Sequence, residues 1–308
     1  MPLRIAVVGA GHMGRIHLEK LKIFEGIQIP GVVDIEEKLL KDVSKKYQIP
    51  SYKDYRKLLD SLDGVIIATP TETHYKIARD FLEHNTHVFI EKPITSQPEE
   101  ANELIKIAKK RGLVLEVGHL ERFNPAFAKA FSSIKKPVFI EAYRASGFTG
   151  RSTDVDVVLD LMIHDIDLTL SFVRGEAREV KAQGISLVTD KLDMVNARIE
   201  FIDGCVASLT ASRMSAKKER TFTVFEKDRY FYIDLLNGSL VSTIRNKSGK
   251  IETTEYTTEK VDSVKSELIE FIHSIKGEQN PTVRGEDGLR ALTLANQIKQ
   301  YIADRKSV

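Results

Sequence analysis

Three glycines spaced to cradle a phosphate open the chain. Gly9, Gly11 and Gly14 fill every glycine position of the G-x-G-x-x-G dinucleotide pattern. The first allows a tight turn, the second lets the backbone approach a pyrophosphate, and the third lets a helix pack close to its strand. A helix starting there turns free N–H groups and its positive dipole end toward the phosphates. Asp34 lies 20 residues beyond Gly14, where the pattern expects an acid for the ribose hydroxyls. Glu36 and Glu37 follow, with no Arg or Ser to receive a 2′-phosphate. Three acids there should repel NADP, so NAD is the expected cofactor.

Two further groups could carry chemistry. Lys92 precedes Pro93, which biases it toward an extended backbone. A lysine so placed at a strand end can hydrogen-bond a cofactor ribose and a substrate hydroxyl; an ordinary surface lysine fits its position as well. Asp160 and His164 stand four residues apart in an otherwise apolar stretch from Val157 to Leu168, and on a helix they share one face. A carboxylate and an imidazole on so apolar a segment need partners or a purpose. An acid that orients a histidine is a usual general-base arrangement, although a histidine bonded to a neighbouring carbonyl fits the same residues. Asp160, His164 and Asp167 lack a clear fourth ligand, so no metal site is expected.

The elements that must position these groups follow from periodicity. Ile5–Val8, Ile27–Val33, Gly64–Ala68, His87–Ile90 and Leu113–Val117 read as buried strands, separated by helices at 13–24, 36–47, 75–85 and 97–111 and a short helix at 52–59. Alternating strands and helices make a doubly wound parallel sheet. Gly9, Asp34, Pro70 and Lys92 all sit at strand ends, where such sheets bind ligands. Beyond Glu121 the alternation stops. Helices are expected at 124–133 and 157–173, and a strand at 138–144. From Leu192 to Phe201 one face carries Val195, Ala197, Ile199 and Phe201, the other Asn196, Arg198 and Glu200. Asp203-Gly204 and Asn237-Gly238 are hairpin turns, with Ser248-Gly249 a third. Helices at 263–275 and 285–305 finish the chain. The expected division is an NAD-binding domain over 1–120 and a substrate-binding and oligomerisation domain over 121–308.

The chain has 308 residues, 42% hydrophobic and 29% charged, with a formal net charge of +2. That is the composition of a globular protein and gives no reason to expect nucleic acid as a partner. The single cysteine, Cys205, excludes an internal disulfide framework and suits a reducing compartment. No run approaches the roughly 20 apolar residues of a membrane span. The first strand begins at once, leaving no room for a signal peptide, so a cytoplasmic location is expected.

Gly9 to Gly14, Asp34, Glu91-Lys92-Pro93 and Asp160-x-x-x-His164, in that order across the whole chain, resemble the glucose–fructose oxidoreductase/inositol dehydrogenase/MocA (Gfo/Idh/MocA) family. The resemblance implies an α/β protein: an N-terminal Rossmann domain, then a C-terminal α+β domain with a large open, mostly antiparallel sheet. It implies hydride transfer between a nicotinamide and a sugar or cyclitol hydroxyl carbon. The matching catalytic set is Lys92, Asp160 and His164, with either Lys92 or His164 as the base. The expected cofactor contacts are Gly9, Gly11, His12, Met13, Gly14, Asp34, Thr69, Pro70, Thr71, His74, Glu91 and Lys92. The free sheet face would serve a homo-oligomer, dimer or tetramer.

Residues 118–125, 151–154 and 158–165 resemble, more narrowly, the branch of that family that oxidises C3 of UDP-N-acetylglucosamine to the 3-keto sugar. A UDP-sugar brings a diphosphate, which arginine suits through its planar fork. Arg122, Asn124, Arg144, Arg151 and Ser152, with Asp160 and His164, are therefore the expected substrate contacts, and Arg213 lies beside them. A free sugar or inositol would need no such cluster. A cofactor-sensing regulator would need no intact Lys92, Asp160 and His164.

Overall fold

The computed structural model describes residues 2–150 and 155–306. Arg151 and Ser152 lie outside the described residues. The chain forms two compact units, Met1–Leu120 with Asp262–Leu289, and Glu121–Val261 with Arg290–Val308. The second unit is not one unbroken stretch: residues 262–289 return to the first.

The strands in chain order are β1 (Leu3–Val8), β2 (Ile27–Gln28), β3 (Val32–Val33), β4 (Ser51–Tyr52), β5 (Gly64–Ile67), β6 (His87–Glu91), β7 (Leu115–Gly118), β8 (Phe139–Ala145), β9 (Ala177–Ile185), β10 (Met194–Phe201), β11 (Val206–Ser212), β12 (Glu219–Glu226), β13 (Arg229–Asp234), β14 (Ser239–Arg245) and β15 (Ile251–Thr257). The helices are α1 (His12–Leu21), α2 (Glu37–Tyr47), α3 (Thr71–Glu83), α4 (Pro98–Arg111), α5 (Pro125–Phe131), α6 (Ile163–Phe172), α7 (Ser263–Ile275) and α8 (Gly285–Lys306). Among the described residues no helix is long and apolar enough to cross a membrane.

The first unit is a parallel sheet in the order β4-β3-β1-β5-β6-β7, with β2 also on β1. Ile5, Val7, Ile66 and Phe89 point to one face, where Leu18 and Leu21 of α1, Leu40 and Val43 of α2, and Leu268 and Phe271 of α7 cover them. That burial is why α7 returns: its apolar side completes this core. The other face packs against α3 and α4. The expected second strand, Ile27–Val33, is two short pieces. Pro30 has no N–H to continue the ladder, and a Cβ at Gly31 would come 2.5 Å from the Tyr52 ring.

The second unit is an eight-stranded sheet, β15-β14-β13-β12-β8-β11-β10-β9. Its neighbours are antiparallel except β8 and β11, which run parallel. Along β10, Val195, Ala197, Ile199 and Phe201 are buried while Asn196 and Arg198 are exposed, as the alternation requires. Val157, Ile163 and Ile166, Phe127 of α5, and Ala295 and Ile298 of α8 join this core. The segment expected as one helix over 157–173 opens differently. Val158–Met162 is a π-helical turn, in which the Ile163 N–H reaches the Val158 carbonyl five residues back, and α6 follows. Asp156 caps it, accepting from the N–H groups of Val158 and Leu159 at 3.1 Å each.

Candidate active site

The glycine turn is required in two places by the chain itself and in a third by something else. Gly9 has φ +104°, and a Cβ there would lie 2.3 Å from the Ala68 carbonyl oxygen. At Gly14 a Cβ would meet the Gly9 carbonyl oxygen at 1.8 Å. Gly11 is different. Its φ of −69° suits any residue, and nothing lies within 4 Å of where its Cβ would be. The protein's own packing does not demand glycine at 11; close approach of a ligand does. Gly11 also caps α1 without any side-chain hydrogen bond, and no acid stands in the first turn. The first N–H groups of α1 are therefore available to an anion. His12 is exposed and Met13 half-buried on that turn. A dinucleotide pyrophosphate fits this cradle.

Asp34 is fixed beside it. Its Oδ2 accepts from the Ala10 N–H at 2.7 Å and its Oδ1 from the Glu36 N–H at 2.9 Å. The three-acid account of cofactor choice needs one correction. Glu37 lies between Lys41 (2.8 Å) and Lys53 (2.9 Å), whose hydrogen bonds hold its carboxyl down at about 2. Its charge is answered locally, so repulsion of a 2′-phosphate rests on Asp34 and Glu36.

β5 and β6 bring their ends beside the turn, as the sheet order dictates. Thr69 follows β5, and its Oγ1 accepts from the Thr73 hydroxyl at 2.7 Å. Pro70 is exposed and caps α3, and Thr71 begins that helix half-buried. Lys92 is half-buried just after β6, before a cis Lys92–Pro93 bond. Two expected cofactor contacts are corrected. His74 is buried, with Nδ1 2.9 Å from the Pro93 carbonyl and Nε2 2.8 Å from the Thr69 carbonyl. Both ring nitrogens are engaged with the protein. Burial pushes this ring down from its ordinary value against the pull of those carbonyls. Glu91 is buried too, its Oε1 2.7 Å from His17 Nε2. Burial drives the Glu91 carboxyl up, but the His17 bond and the charges of His17 and Lys92 hold it below the carboxylate range.

In the second unit, Asp160 lies within the π turn, half-buried, and His164 opens α6, nearly buried. Single-turn π widenings recur at functional sites. The neighbouring acids have other work. Asp165 holds Arg144, whose Nε and Nη2 donate to it at 3.0 and 2.8 Å while Nη1 donates to Glu121 at 2.7 Å. Asp167 takes a bidentate pair from Arg122 at 2.6 and 2.9 Å. These ion pairs are buried on both sides. The expectation that Arg122 and Arg144 meet a substrate diphosphate is therefore corrected: their forks are filled by carboxylates of the same unit. Asn124 is corrected likewise. Its Oδ1 caps α5 from the Ala126 N–H at 3.1 Å, and its Nδ2 donates to the Leu235 carbonyl at 2.9 Å. Arg213 is buried against Asp193 (3.1 Å) and the Val155 carbonyl (2.8 Å). Arg220, which shares Glu121 with Arg144 at 3.3 Å, keeps 34% of its side chain exposed.

Sequence patterning missed His17. Gly14, His17, Leu18 and Leu21 are the buried stripe of α1, so the available signal was a histidine on an apolar face. It also missed Glu116 and Glu267, buried carboxylates with no hydrogen-bond partner among the described residues.

A phosphate-cradling turn at the switch point of a parallel sheet, with an acid beside it, defines a dinucleotide-binding oxidoreductase domain. Residues 3–119 match the family model for the oxidoreductase family with NAD-binding Rossmann fold, and residues 129–231 match that for the Gfo/Idh/MocA C-terminal domain. The chain is 35% identical to the UDP-N-acetylglucosamine 3-dehydrogenase of Acidithiobacillus ferrooxidans over 96% of each chain. A solved structure of that enzyme superposes with a TM-score of 0.92, covering 98% of both chains. The myo-inositol 2-dehydrogenase of Thermotoga maritima is 26% identical over 99% of this chain and 98% of its own. The scyllo-inositol dehydrogenase of Lactobacillus casei, solved with NAD(H) and scyllo-inositol, shares the fold at a TM-score of 0.85 and 21% identity. The chain belongs to the Gfo/Idh/MocA family. It is an NAD-dependent dehydrogenase of that type, acting on hydroxyl groups.

Proposed function

We propose that this dehydrogenase oxidises C3 of UDP-N-acetylglucosamine to the 3-keto sugar. The observation that carries the reading is the 35% identity, over nearly the full length of both chains, to an enzyme of that name. Oxidising a secondary alcohol removes its O–H proton as the carbon gives up hydride. Bound NAD supplies the hydride acceptor. In this reading His164 takes the proton, Asp160 orients the imidazole, and Lys92 donates a hydrogen bond to the alcohol oxygen. Lys92 and His164 are interchangeable as the base until variants separate them.

The diphosphate must find cations other than Arg122, Arg144 and Arg213, which carboxylates already occupy. Arg220 keeps an exposed edge and takes Arg144's place among the candidates; Arg151 and Ser152 stay candidates from sequence. The runner-up is oxidation of a free sugar or inositol. The committed arginines and the 26% identity to a myo-inositol 2-dehydrogenase favour it.

The test couples the reaction to its product. Enzyme, NAD and UDP-N-acetylglucosamine are incubated with a PLP aminotransferase and glutamate, and mass spectrometry seeks the 3-amino sugar nucleotide. Appearance of that product supports the assignment. Its absence, alongside turnover of myo-inositol or glucose, moves the assignment to the runner-up.

The same proposal extends to assembly. Phe139, Phe225 and Tyr230 run across β8, β12 and β13 with ring centroids 5.9 and 5.0 Å apart. They lie on the sheet face opposite the buried Ile140, Ala142 and Val224. A second copy of the chain on this face would bury them; light scattering of the purified protein at working concentration checks for the dimer or tetramer.

A further inference from the structure

Two buried histidines fasten the loops around Lys92, and the reaction described above uses neither. His17 is fully buried on α1, its ring edge against Phe89 with centroids 5.3 Å apart. Its Nε2 meets Glu91, the residue before Lys92, at 2.7 Å. The other Glu91 oxygen fills the room left at Gly118, where a Cβ would lie 3.1 Å away. His74, on α3, meets the carbonyl of Pro93, the residue after Lys92, at 2.9 Å, and that of Thr69 at 2.8 Å.

We propose that His17 and His74 are positioning residues: a two-sided clamp on Glu91-Lys92-Pro93 that fixes where the Lys92 side chain leaves the backbone. The proposal rests on the reading of Lys92 as a catalytic group. With the residue before it tied to α1 and the residue after it tied to the β5–α3 loop, the Lys92 backbone is held on both sides. The tie to α1 matters for a second reason. That helix carries the glycine turn at its N-terminus, so cofactor cradle and lysine share one reference. Histidine suits the role at 74 because both of its neighbours are carbonyl acceptors: the neutral ring donates to one of them and packs against the other, and the protonated ring donates to both.

Misplacing a catalytic group by about 1 Å can cost about 100-fold in rate. His74→Leu removes the clamp while keeping an apolar side chain of similar bulk. His74→Gln returns an NH2 group able to donate to two carbonyls. Each variant is assayed for kcat, for NAD affinity and for thermal midpoint, beside Lys92→Ala and the double variant Lys92→Ala/His74→Leu. The expected result is a roughly 10- to 100-fold loss of kcat in His74→Leu with NAD affinity within about threefold of the parent. His74→Gln should recover most of that loss. The double variant should be no slower than Lys92→Ala alone, because His74 acts through Lys92. Turnover of His74→Leu within about twofold of the parent would overturn the clamp. So would a double variant that multiplies the two losses, or losses in Leu and Gln variants that simply follow their thermal midpoints. If Lys92→Ala itself turns over normally, the catalytic reading of Lys92 fails first and takes the clamp with it. If Lys92→Ala is inactive and His74→Leu is not, the clamp alone fails.

Discussion

The two units bury charge in opposite ways. The second sets arginine against carboxylate: Arg144 with Asp165 and Glu121, Arg122 with Asp167, Arg213 with Asp193. The first buries Glu91 against the His17 imidazole, and buries Glu116 and Glu267 with no hydrogen-bond partner among the described residues. Burial pushes Glu267 and Glu116 well above the ordinary carboxylate value, Glu267 further through the charges of Glu91 and Glu116, and Glu116 through that of Glu270. The second unit thus answers its buried acids with arginines, whereas the first leaves Glu116 and Glu267 without a hydrogen-bond partner among the described residues. The lesson for function is that charge visible in a sequence divides into structural and reactive parts only once partners are known.

Breaking a fixed pair should give the largest effect. Arg144→Met leaves Asp165 an uncompensated buried charge and Glu121 with only Arg220, and should cost about 3–5 kcal/mol in urea unfolding. Adding Asp165→Leu should restore part of it, since a buried pair replaced as a whole by apolar groups is often neutral. An Arg144→Met protein that unfolds at the parent's midpoint but loses substrate affinity would mean that this arginine is a ligand after all.

The unpartnered carboxyl groups of the first unit should respond to pH in the other direction from an ion pair. Glu267 has a folded-state pKa raised above its ordinary 4.5. Its contribution to stability is therefore full below pH 4.5 and is lost as pH rises through the raised value. Glu267→Gln, which needs no proton, should raise neutral-pH stability, measured as the urea midpoint at pH 7. It should also flatten the fall in thermal midpoint on going to alkaline pH. A variant whose pH profile matches the parent's would show that Glu267 carries no such linkage.

Cofactor choice should show the smallest shift. With Asp34 hydrogen-bonded to the glycine turn and Glu36 next to it in the chain, NAD should bind at least about tenfold tighter than NADP, or roughly 1.4 kcal/mol. Asp34→Asn, which keeps an acceptor for the Ala10 or Glu36 N–H, should erode that preference. Fluorescence titration with both reduced cofactors measures it, and equal affinities in the parent would remove the charge argument.

What the sequence displayed was what local pattern determines. The glycine turn, the strand ends and the hairpin at Asp203-Gly204 depend on residues within a few positions of one another, and they stand close to where periodicity put them. Partner choice is long-range and was hidden. Arg144 is 21 residues from Asp165 and Arg122 is 45 from Asp167, and nothing in an arginine says whether a carboxylate or a phosphate will fill its fork. His74 and Glu91 stood among cofactor contacts because their neighbours do; only burial reveals that they face inward. α7 reads as the same amphipathic helix whichever core it covers, so its return to the first unit was invisible.

The central proposal is that this NAD-dependent dehydrogenase uses Lys92 and His164 to oxidise the sugar of a UDP-linked substrate. The direct measurement is formation of reduced nicotinamide from NAD and UDP-N-acetylglucosamine by the parent, Lys92→Ala and His164→Ala proteins, each first shown to bind NAD. The account predicts turnover by the parent and a loss of about 10²–10⁴ in kcat in both variants. Near-parental turnover in either variant, or a parent that reduces NAD with myo-inositol but not with the UDP-sugar, would contradict it.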